Sequence, residues 1–397
     1  MKKVVIPIIV MLLTTLSGCE GFFPAASEIE SYDTIQIIGI DVSEDDPSQI
    51  EVTLISKAEK STGSETSGGV TINTYWASGP TAFETQRGLR AKEDKVTFLG
   101  YVDYILIGEK AAQEDFTKYF DYVVRDHETR LSPKVFVIRD CTVKDFIKKT
   151  SSSEMFLADR LDNIINGKDI LANTTETRAI KVMGMLDNTK ASTVIPALEC
   201  DERHNHDITG EMPEKHVDAN GYAIIKDFKL AGFIEADCAS GFNFLTNVVD
   251  SYPVSVKDNT GAYVGLEVVK SDTKMEAHFD GDKLEGVTYK TFVTSALPEQ
   301  QSRQKIATRE GVAFMCSEQS QTIKLLMEDV IKTSKELKTD CIGLGERIRI
   351  QYPYKWEKIK DKWKEMYPEL KVDVSVDSEI VRSYDFILPN GYQKGEE

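Results

Sequence analysis

TIQIIGIDVSEDDPSQIEVTLIS, residues 34–56, is the stretch that decides the fold of this chain. It opens with an apolar, β-branched run from Ile35 to Ile40 and closes with a second run, Ile50 to Ser56, in which apolar and polar residues alternate. Asp45 to Ser48, between the two runs, has the composition of a turn. The stretch therefore predicts an antiparallel β-hairpin.

Strand and helix patterns follow the hairpin without a regular repeat. Lys60 to Gly69 is rich in Ser, Thr and Gly, and we expect a mobile loop there. Val102 to Gly108 and Val135 to Ile138 have the composition of strands, and Ala111 to Val124 between them carries apolar residues at helical spacing. The first half of the chain is therefore predicted to mix strands and helices.

The second half begins after a polar segment, Leu198 to Asn220, which is the predicted linker or long loop. Antiparallel sheet is predicted beyond it, because strand patterns alternate with turn signals. The strands are Tyr222 to Ile225 and Leu230 to Ile234, and the turns are Asp227 to Lys229, Asp258 to Gly261 and Asp280 to Gly281.

Two helices and a strand are predicted near the C-terminus. Gln321 to Lys338 and Tyr354 to Met366 show helical spacing, and Leu370 to Val376 alternates as a half-buried strand. Trp356 and Trp363 are seven residues apart, so they lie on one face of their helix and are predicted to pack in the core.

These patterns predict an α+β fold with several domains, in which mostly antiparallel or mixed sheets are flanked by helices. The expected division is an N-terminal α+β domain at 31–197, a linker or long loop at 198–220 and a C-terminal α+β region at 221–388. That last region has an alternative division into two lobes near 285–300.

The N-terminus has the form of an export signal. Lys2 and Lys3 precede an apolar stretch, Val4 to Leu16, that is too short to span a bilayer. Leu16-Ser17-Gly18-Cys19 fits the bacterial lipobox, in which the cysteine is lipidated and the peptide is cut before it. We therefore expect a signal peptide at 1–18, lipid attachment at Cys19 as the only membrane anchor, and a tether at 19–30. An ordinary secreted protein with a chance cysteine is the alternative.

The net charge of the chain argues against nucleic acid as a partner, and its composition allows large cores. The 397 residues carry a net charge of −17, and removing residues 1–18 takes away two lysines, which makes it −19. Such an acidic chain is repelled by phosphate backbones and anionic headgroups, so nucleic acid is not an expected partner and the lipid must hold the protein to its membrane. With 41% hydrophobic residues the chain can bury large cores.

The cysteines after the anchor do not predict a disulfide framework. They are odd in number, widely spaced and without a Cys-x-x-Cys pair: Cys141, Cys200, Cys238, Cys316 and Cys341. We expect buried free thiols, and a single disulfide is the alternative.

Known catalytic motifs are missing from the sequence. It lacks a Gly-x-Ser-x-Gly elbow, a His-Glu-x-x-His pair, a Walker loop and a dinucleotide fingerprint. Ser271 and Lys274 fit Ser-x-x-Lys, but the partner motifs are absent. The chain is therefore not expected to be an enzyme, and no catalytic residue or cofactor is predicted.

Three clusters of polar residues are better explained by solvated loops or ion pairs than by metal binding or catalysis. His204, His206, Asp207 and His216 offer zinc-ligand types, but they lie in a polar loop, so no metal is predicted. The acidic run Asp41 to Asp46 lacks the pattern of a calcium loop and is interpreted as a solvated turn. The group formed by Arg125, Asp126, Glu128 and Arg130 is interpreted as an ion-pair network.

Taken in order, these landmarks resemble the spore germination receptor C-subunit lipoproteins, the Ger(x)C family of endospore-forming bacteria. The residues that carry the resemblance are the lipobox Leu16 to Cys19, Glu28 to Glu30, Gly39 to Asp41, Ile107 to Glu109, Arg125-Asp126 with Arg130, Gly221 to Ala223, Leu230 to Gly232, Gly241-Phe242, Asp340 to Gly345, Tyr352-Pro353, Trp356, Trp363, Tyr367-Pro368 and Val372 to Val376. Two departures are Glu20 to Phe23, where the family usually has Trp-Asp after the cysteine, and Tyr101, where a histidine is common.

The resemblance implies a lipid-anchored, non-catalytic subunit of α+β domains on the extracytoplasmic face of the spore inner membrane. There it would assemble with polytopic A- and B-type subunits into a nutrient-germinant receptor needed for spore germination. The alternative is a solute-binding lipoprotein that delivers a small ligand to a transporter, but the predicted hairpins argue against it. A lipid-anchored enzyme is the third possibility.

Overall fold

The structure, a computed structural model, describes residues 32–59, 70–90, 95–150, 156–187, 192–201, 216–303 and 305–383. The predicted signal peptide, tether and Cys19 lie outside these residues. So do the predicted loop at Lys60 to Gly69, most of the predicted linker, and His204, His206 and Asp207.

Two sheets organise the described part of the chain. The strands of the first sheet are β1 (Tyr32–Val42), β2 (Ile50–Glu59), β3 (Val70–Gly79), β4 (Val96–Phe98), β5 (Tyr104–Gly108), β6 (Lys134–Ile138), β7 (Thr193–Asp201), β8 (His216–Lys226) and β9 (Lys229–Ile234). Their order is β3-β2-β1-β5-β6-β7-β8-β9, and β4 pairs with the beginning of β1. The sheet is mixed: the pairs from β1 to β7 are parallel, and those at either side are antiparallel.

Helices cover both faces of the first sheet. They are α1 (Ala82–Arg90), α2 (Glu109–Arg125), α3 (Val143–Thr150), α4 (Leu157–Leu171) and α5 (Ala179–Asp187). Ile35 and Ile38 pack in the core under α1 and α2, and Ile37 packs in the core under α3 and α4. A register shift between Ile35 and Ile37 accompanies this pattern. Because both faces are buried, β1 is apolar at consecutive positions and not only at alternate ones.

The second sheet has the order β10-β11-β12-β13. Its strands are β10 (Tyr252–Lys257), β11 (Tyr263–Asp280), β12 (Lys283–Gln300) and β13 (Lys371–Ser383), and its helices are α6 (Ala239–Thr246), α7 (Arg309–Glu336), α8 (Leu344–Gln351), α9 (Pro353–Ile359) and α10 (Trp363–Met366). Met315, Ile323 and Val330 of α7 are buried in the core of this unit. We call each sheet with its helices a unit. Tyr222 and Ile224 of β8, in the first unit, belong to the core of the second, so the two units share apolar packing.

Polar contacts also join the two units. The Ser192 amide donates to the Asp340 carbonyl at 3.3 Å, and the hydroxyls of Ser192 and Thr339 are hydrogen-bonded. The Lys226 ammonium donates to the Leu337 carbonyl at 3.3 Å. The units are therefore held together by buried hydrogen bonds as well as by apolar contact.

Several predicted elements are confirmed. The hairpin at 34–56 is the antiparallel pair β1–β2, and the other strand predictions correspond to β5, β6, β8, β9 and β13. The three predicted turns lie between β8 and β9, β10 and β11, and β11 and β12. The α+β class with mixed, helix-flanked sheets is also confirmed.

Three local predictions need correction. The helix expected from Gln321 begins at Arg309, and the helix expected at Tyr354 to Met366 is two α-helices separated by a 3-10 turn at Lys360–Lys362. The thiols are less buried than expected: of Cys141, Cys238, Cys316 and Cys341 only Cys341 is fully buried, and Cys238, Cys316 and Cys341 are free.

Candidate functional site

A groove of about 520 Å³ lies between the start of α1 and the second half of α2. This volume is within the range of roughly 300–1,000 Å³ that small-molecule sites occupy. Its lining residues are Ile50, Pro80, Thr81, Ala82, Phe83, Lys118, Asp121, Tyr122, Arg125, Asp126 and His127. Of this set, only Arg125 and Asp126 stand out as a charged cluster in the sequence.

Local capping positions the two walls of the groove. The Thr81 hydroxyl accepts from the Glu84 amide at 3.1 Å, which starts α1 directly after Pro80. Helix α2 is bent at Asp115, whose carboxylate accepts from the Thr117 amide at 3.0 Å and starts the second half of the helix. Each wall is therefore fixed by a side-chain cap, and the rings of Phe83 and Tyr122 then meet edge to face with centroids 6.4 Å apart.

The charged side chains of the groove are largely committed to ion pairs. Arg125 contacts Asp121 at 2.6 Å, and this hydrogen-bonded pair holds the pKa of the Asp121 carboxyl below its usual range. Lys118 contacts Glu114 at 2.8 Å. Among the described lining residues the only hydroxyls are those of Thr81, which caps α1, and Tyr122, whose pKa is raised by burial. The arrangement can bind a small group, but it does not pair a nucleophile with a base.

The predicted ion-pair network is only partly right. Arg125 and Glu128 pair with Asp121 and Arg90, which lie outside the predicted group, at 2.6 Å and 3.0 Å. The Asp126 amide donates to the Tyr122 carbonyl at the end of α2, and the Asp126 carboxylate accepts from the Glu128 amide in the turn that follows. The cluster therefore ties α1 to the end of α2 through Arg90.

Asp41 was interpreted as part of a solvated turn, and the structure shows that this was wrong. Its carboxylate is 2% exposed and accepts from the amides of Val42 at 2.8 Å and Val143 at 3.0 Å. A side chain at Gly108 would overlap this carboxylate, and one at Gly39 would overlap Val143. Burial is the largest influence and raises the pKa of Asp41 to about 6, although both amides act to lower it.

A second buried carboxylate, Asp340, organises the C-terminal signature. It accepts from the amides of Leu344 at 2.8 Å and Gly345 at 2.7 Å and from the Trp363 indole at 3.2 Å. Burial raises the pKa of Asp340 despite these hydrogen bonds. Trp363 is 1% exposed and meets Trp356 at 5.3 Å between ring centroids, which confirms the predicted core packing. Both motif clusters therefore cap helices and hold elements together.

The remaining candidate residues are not brought together. Ser271 and Lys274 are three apart on β11, where side chains alternate between faces, and Lys274 contacts Asp272 at 3.4 Å. No group of three or more potential metal ligands occurs among the described residues. Within that same part of the chain, no helix is both long and apolar enough to cross a membrane.

The comparisons with known proteins cover nearly the whole chain. Residues 25–200 match the family described as "Spore germination protein N-terminal domain", and residues 220–384 match "Spore germination B3/ GerAC like, C-terminal". Spore germination protein KC of Bacillus subtilis (strain 168) is 22% identical over 96% of each chain. Spore germination protein B3 of the same organism is 24% identical over 92% of this chain and 94% of its own.

A solved structure shares the fold. The crystal structure of the GerBC protein superimposes with a TM-score of 0.55 over 87% of this chain and 96% of its own, at 18% identity. Spore germination protein A3 of Bacillus subtilis (strain 168) is 24% identical over 96% of this chain. Because two family models match either side of residues 201–219 and the fold agrees, the chain belongs to the Ger(x)C family of spore germination proteins.

Proposed function

We propose that this protein is the lipid-anchored subunit of a nutrient-germinant receptor and acts there as a non-catalytic scaffold. Its expected partners are polytopic A- and B-type subunits, and its expected place is the extracytoplasmic face of the spore inner membrane. The observation that carries the proposal is the match to spore germination proteins over nearly the full length of the chain.

A scaffold role is supported by the use of the buried carboxylates. Asp41 and Asp340 accept backbone amides that fix α3 and α8, and Asp340 also holds the indole of Trp363. Buried charged groups in catalytic sites face a substrate cavity, whereas these two face helix ends. None of the three relatives named above is described as an enzyme.

Anchoring is supported by the lipobox that ends at Cys19. Two or more acyl chains give a stable hold on a membrane, whereas one alone gives only a marginal one. Confinement beside the membrane raises the effective concentration of the folded units for neighbouring membrane subunits. A modest interface is then sufficient to hold the assembly together.

The test compares spores that carry the wild-type chain, Cys19→Ala, and a form in which an unrelated transmembrane helix replaces residues 1–19. Protein levels are matched by immunoblot, fatty-acid labelling reports lipid attachment, and germination is followed by loss of optical density after nutrient addition. We expect Cys19→Ala to lose the label and the response, and the helix-tethered form to recover part of the response.

Cys238→Ala is the matched control, because it also removes a cysteine but not the one in the lipobox. It should retain label and response. A full response from unlabelled Cys19→Ala would contradict the anchor and the scaffold together. Turnover of a metabolite by the purified protein would replace the scaffold with an enzyme, and tight binding of a free solute in the α1–α2 groove would favour the solute-binding alternative.

A further inference from the structure

Three aromatic side chains form a chain of ring contacts at the first described strand. Tyr32 meets Phe98 with ring centroids 5.8 Å apart and an edge-to-face tilt, and Phe98 meets Tyr101 in the same way at 5.9 Å. We call Tyr32, Phe98 and Tyr101 the aromatic cluster. Tyr101 is 60% exposed and the neighbouring Val96 is 38% exposed, so the cluster presents apolar surface to its surroundings.

The cluster is held rigidly by the fold. Tyr32 pairs with Val96 at the parallel contact between β1 and β4, which brings the two strands together at their first residues. The ring of Phe98 covers Gly100 so closely that a side chain there would overlap it. The turn after β4 is closed by the Val102 amide, which donates to the Leu99 carbonyl at 3.2 Å. Tyr101 is therefore displayed at the tip of a fixed turn.

The position of the cluster relative to the anchor limits what it can face. Tyr32 is thirteen positions after Cys19 in the sequence. Because a fully extended chain spans at most about 3.6 Å per residue, Tyr32 lies within roughly 50 Å of a lipidated Cys19. Tyr32 is the first described residue after the anchor, and the ring contacts hold Phe98 and Tyr101 beside it.

The chemistry of the cluster fits the interfacial region of a lipid bilayer. Tyrosine is enriched there because its ring enters the apolar boundary and its hydroxyl stays with water and headgroups. Residues 96–102 carry no charged side chain, and one exposed charge of each sign, Lys95 and Asp103, flanks them, although the chain as a whole has a net charge of −17. Anionic headgroups repel an acidic surface, so an uncharged aromatic patch is the part of such a protein that can approach them.

We propose that the aromatic cluster rests on the bilayer surface and is a second membrane contact of the protein, beside the lipid. This inference rests on the proposed anchoring at Cys19, because a stable hold takes more than a few exposed rings. The contact fixes the orientation of the first unit against the membrane.

The test uses the full lipidated chain in vesicles of equal parts phosphatidylethanolamine and phosphatidylglycerol, prepared with and without bromine on the acyl chains. Tyr101→Trp places a fluorescent indole in the cluster, and bromine quenches an indole only on contact. The unsubstituted protein gives the background from the native tryptophans. Tyr263→Trp is the matched control, because Tyr263 is 52% exposed and lies on the second sheet. Val96→Trp is a second probe of the same patch.

We expect brominated vesicles to remove most of the fluorescence that Trp substitution adds at position 101 or 96, and little of that added at 263. Equal quenching at the three positions, or none at 101 and 96 in a protein that carries lipid and sediments with vesicles, would overturn the membrane contact. Loss of lipid and of sedimentation from the unsubstituted protein would instead contradict the anchor. The two failures are therefore distinguishable.

Discussion

Asp41 gives a sharp test of how burial and hydrogen bonding compete in this fold. Its carboxylate accepts one amide on each oxygen, from Val42 and Val143, and these bonds favour the charged form. Burial disfavours that form and dominates, so the pKa of Asp41 rises from 3.8 to about 6. We expect replacement by Asn to remove a pH-dependent contribution to the free energy of unfolding.

The sign follows from the direction of the shift. A carboxyl whose pKa is raised on folding contributes stability that is complete below the unfolded pKa and is lost as pH rises through the folded pKa. Each pKa unit corresponds to about 1.4 kcal/mol, so the contribution of Asp41 should fall by about 2–3 kcal/mol between pH 4 and pH 7. Asn also exchanges one acceptor oxygen for an amide donor, which adds a constant cost of about 1–3 kcal/mol.

The assay is urea unfolding of the purified wild-type protein and Asp41→Asn at several pH values, with the difference in unfolding free energy plotted against pH. We expect the advantage of the wild type to shrink as pH rises. Asp46→Asn is the control, because this exposed carboxyl is hydrogen-bonded to Ser48, which lowers its pKa, and its contribution has the opposite sign. A pH-independent difference for Asp41→Asn, or an advantage that grows with pH, would refute the dominance of burial.

Two further predictions concern the packing of the motif residues. Trp363→Ala should lower the free energy of unfolding by about 3–5 kcal/mol, because it empties a core position. Tyr354→Ala, at a side chain that is 88% exposed, is the control and should change the free energy of unfolding by less than about 0.5 kcal/mol. Equal melting curves for Trp363→Ala and the wild type would contradict the core assignment. Gly108→Ala should cost about 1–3 kcal/mol, because its methyl group overlaps the Asp41 carboxylate, whereas Gly167→Ala points into open space and should be neutral or stabilising in the same thermal unfolding assay.

Local signals explain which parts of the fold could be predicted from the sequence. The β1–β2 hairpin was predictable because its strands and its turn lie within one short stretch. Trp363 was assigned to the core from its spacing to Trp356 alone, and both are buried. In each case the residues that decide the structure lie within a short stretch of the chain, so their periodicity indicates the face that each one occupies.

Contacts between distant segments were not predictable in the same way. The parallel pairing of β12 with β13 joins strands that are separated by α7 to α10, and no pattern within either strand specifies its partner. The first turns of α7 were missed because Val312 to Cys316 form a continuous apolar run, whose pattern does not distinguish a helix from a strand. Gln319 is fully buried there and is satisfied by Ser295 across the core at 2.7 Å, so burial at this position depends on a hydrogen bond that the sequence does not display.

The candidate site shows the same limit. Arg125 and Asp126 were visible as a charged pair, but the groove also needs Pro80 to Phe83, whose approach depends on the packing of α1 against α2. Asp41 was misread because a carboxylate in an acidic run is usually solvated. Only the fold shows that Gly108 leaves room for it and that the Val143 amide is directed at it.

The position of the motif residues has a consequence for specificity. Asp41 with Gly108, and Asp340 with Trp363, lie inside the fold, where substitution changes stability before it changes recognition. Relatives that are only 22–24% identical still match over nearly the whole chain, as expected if such interior residues hold a common frame on which the surface is free to differ. If the proposed membrane subunits are its partners, their recognition resides in exposed side chains.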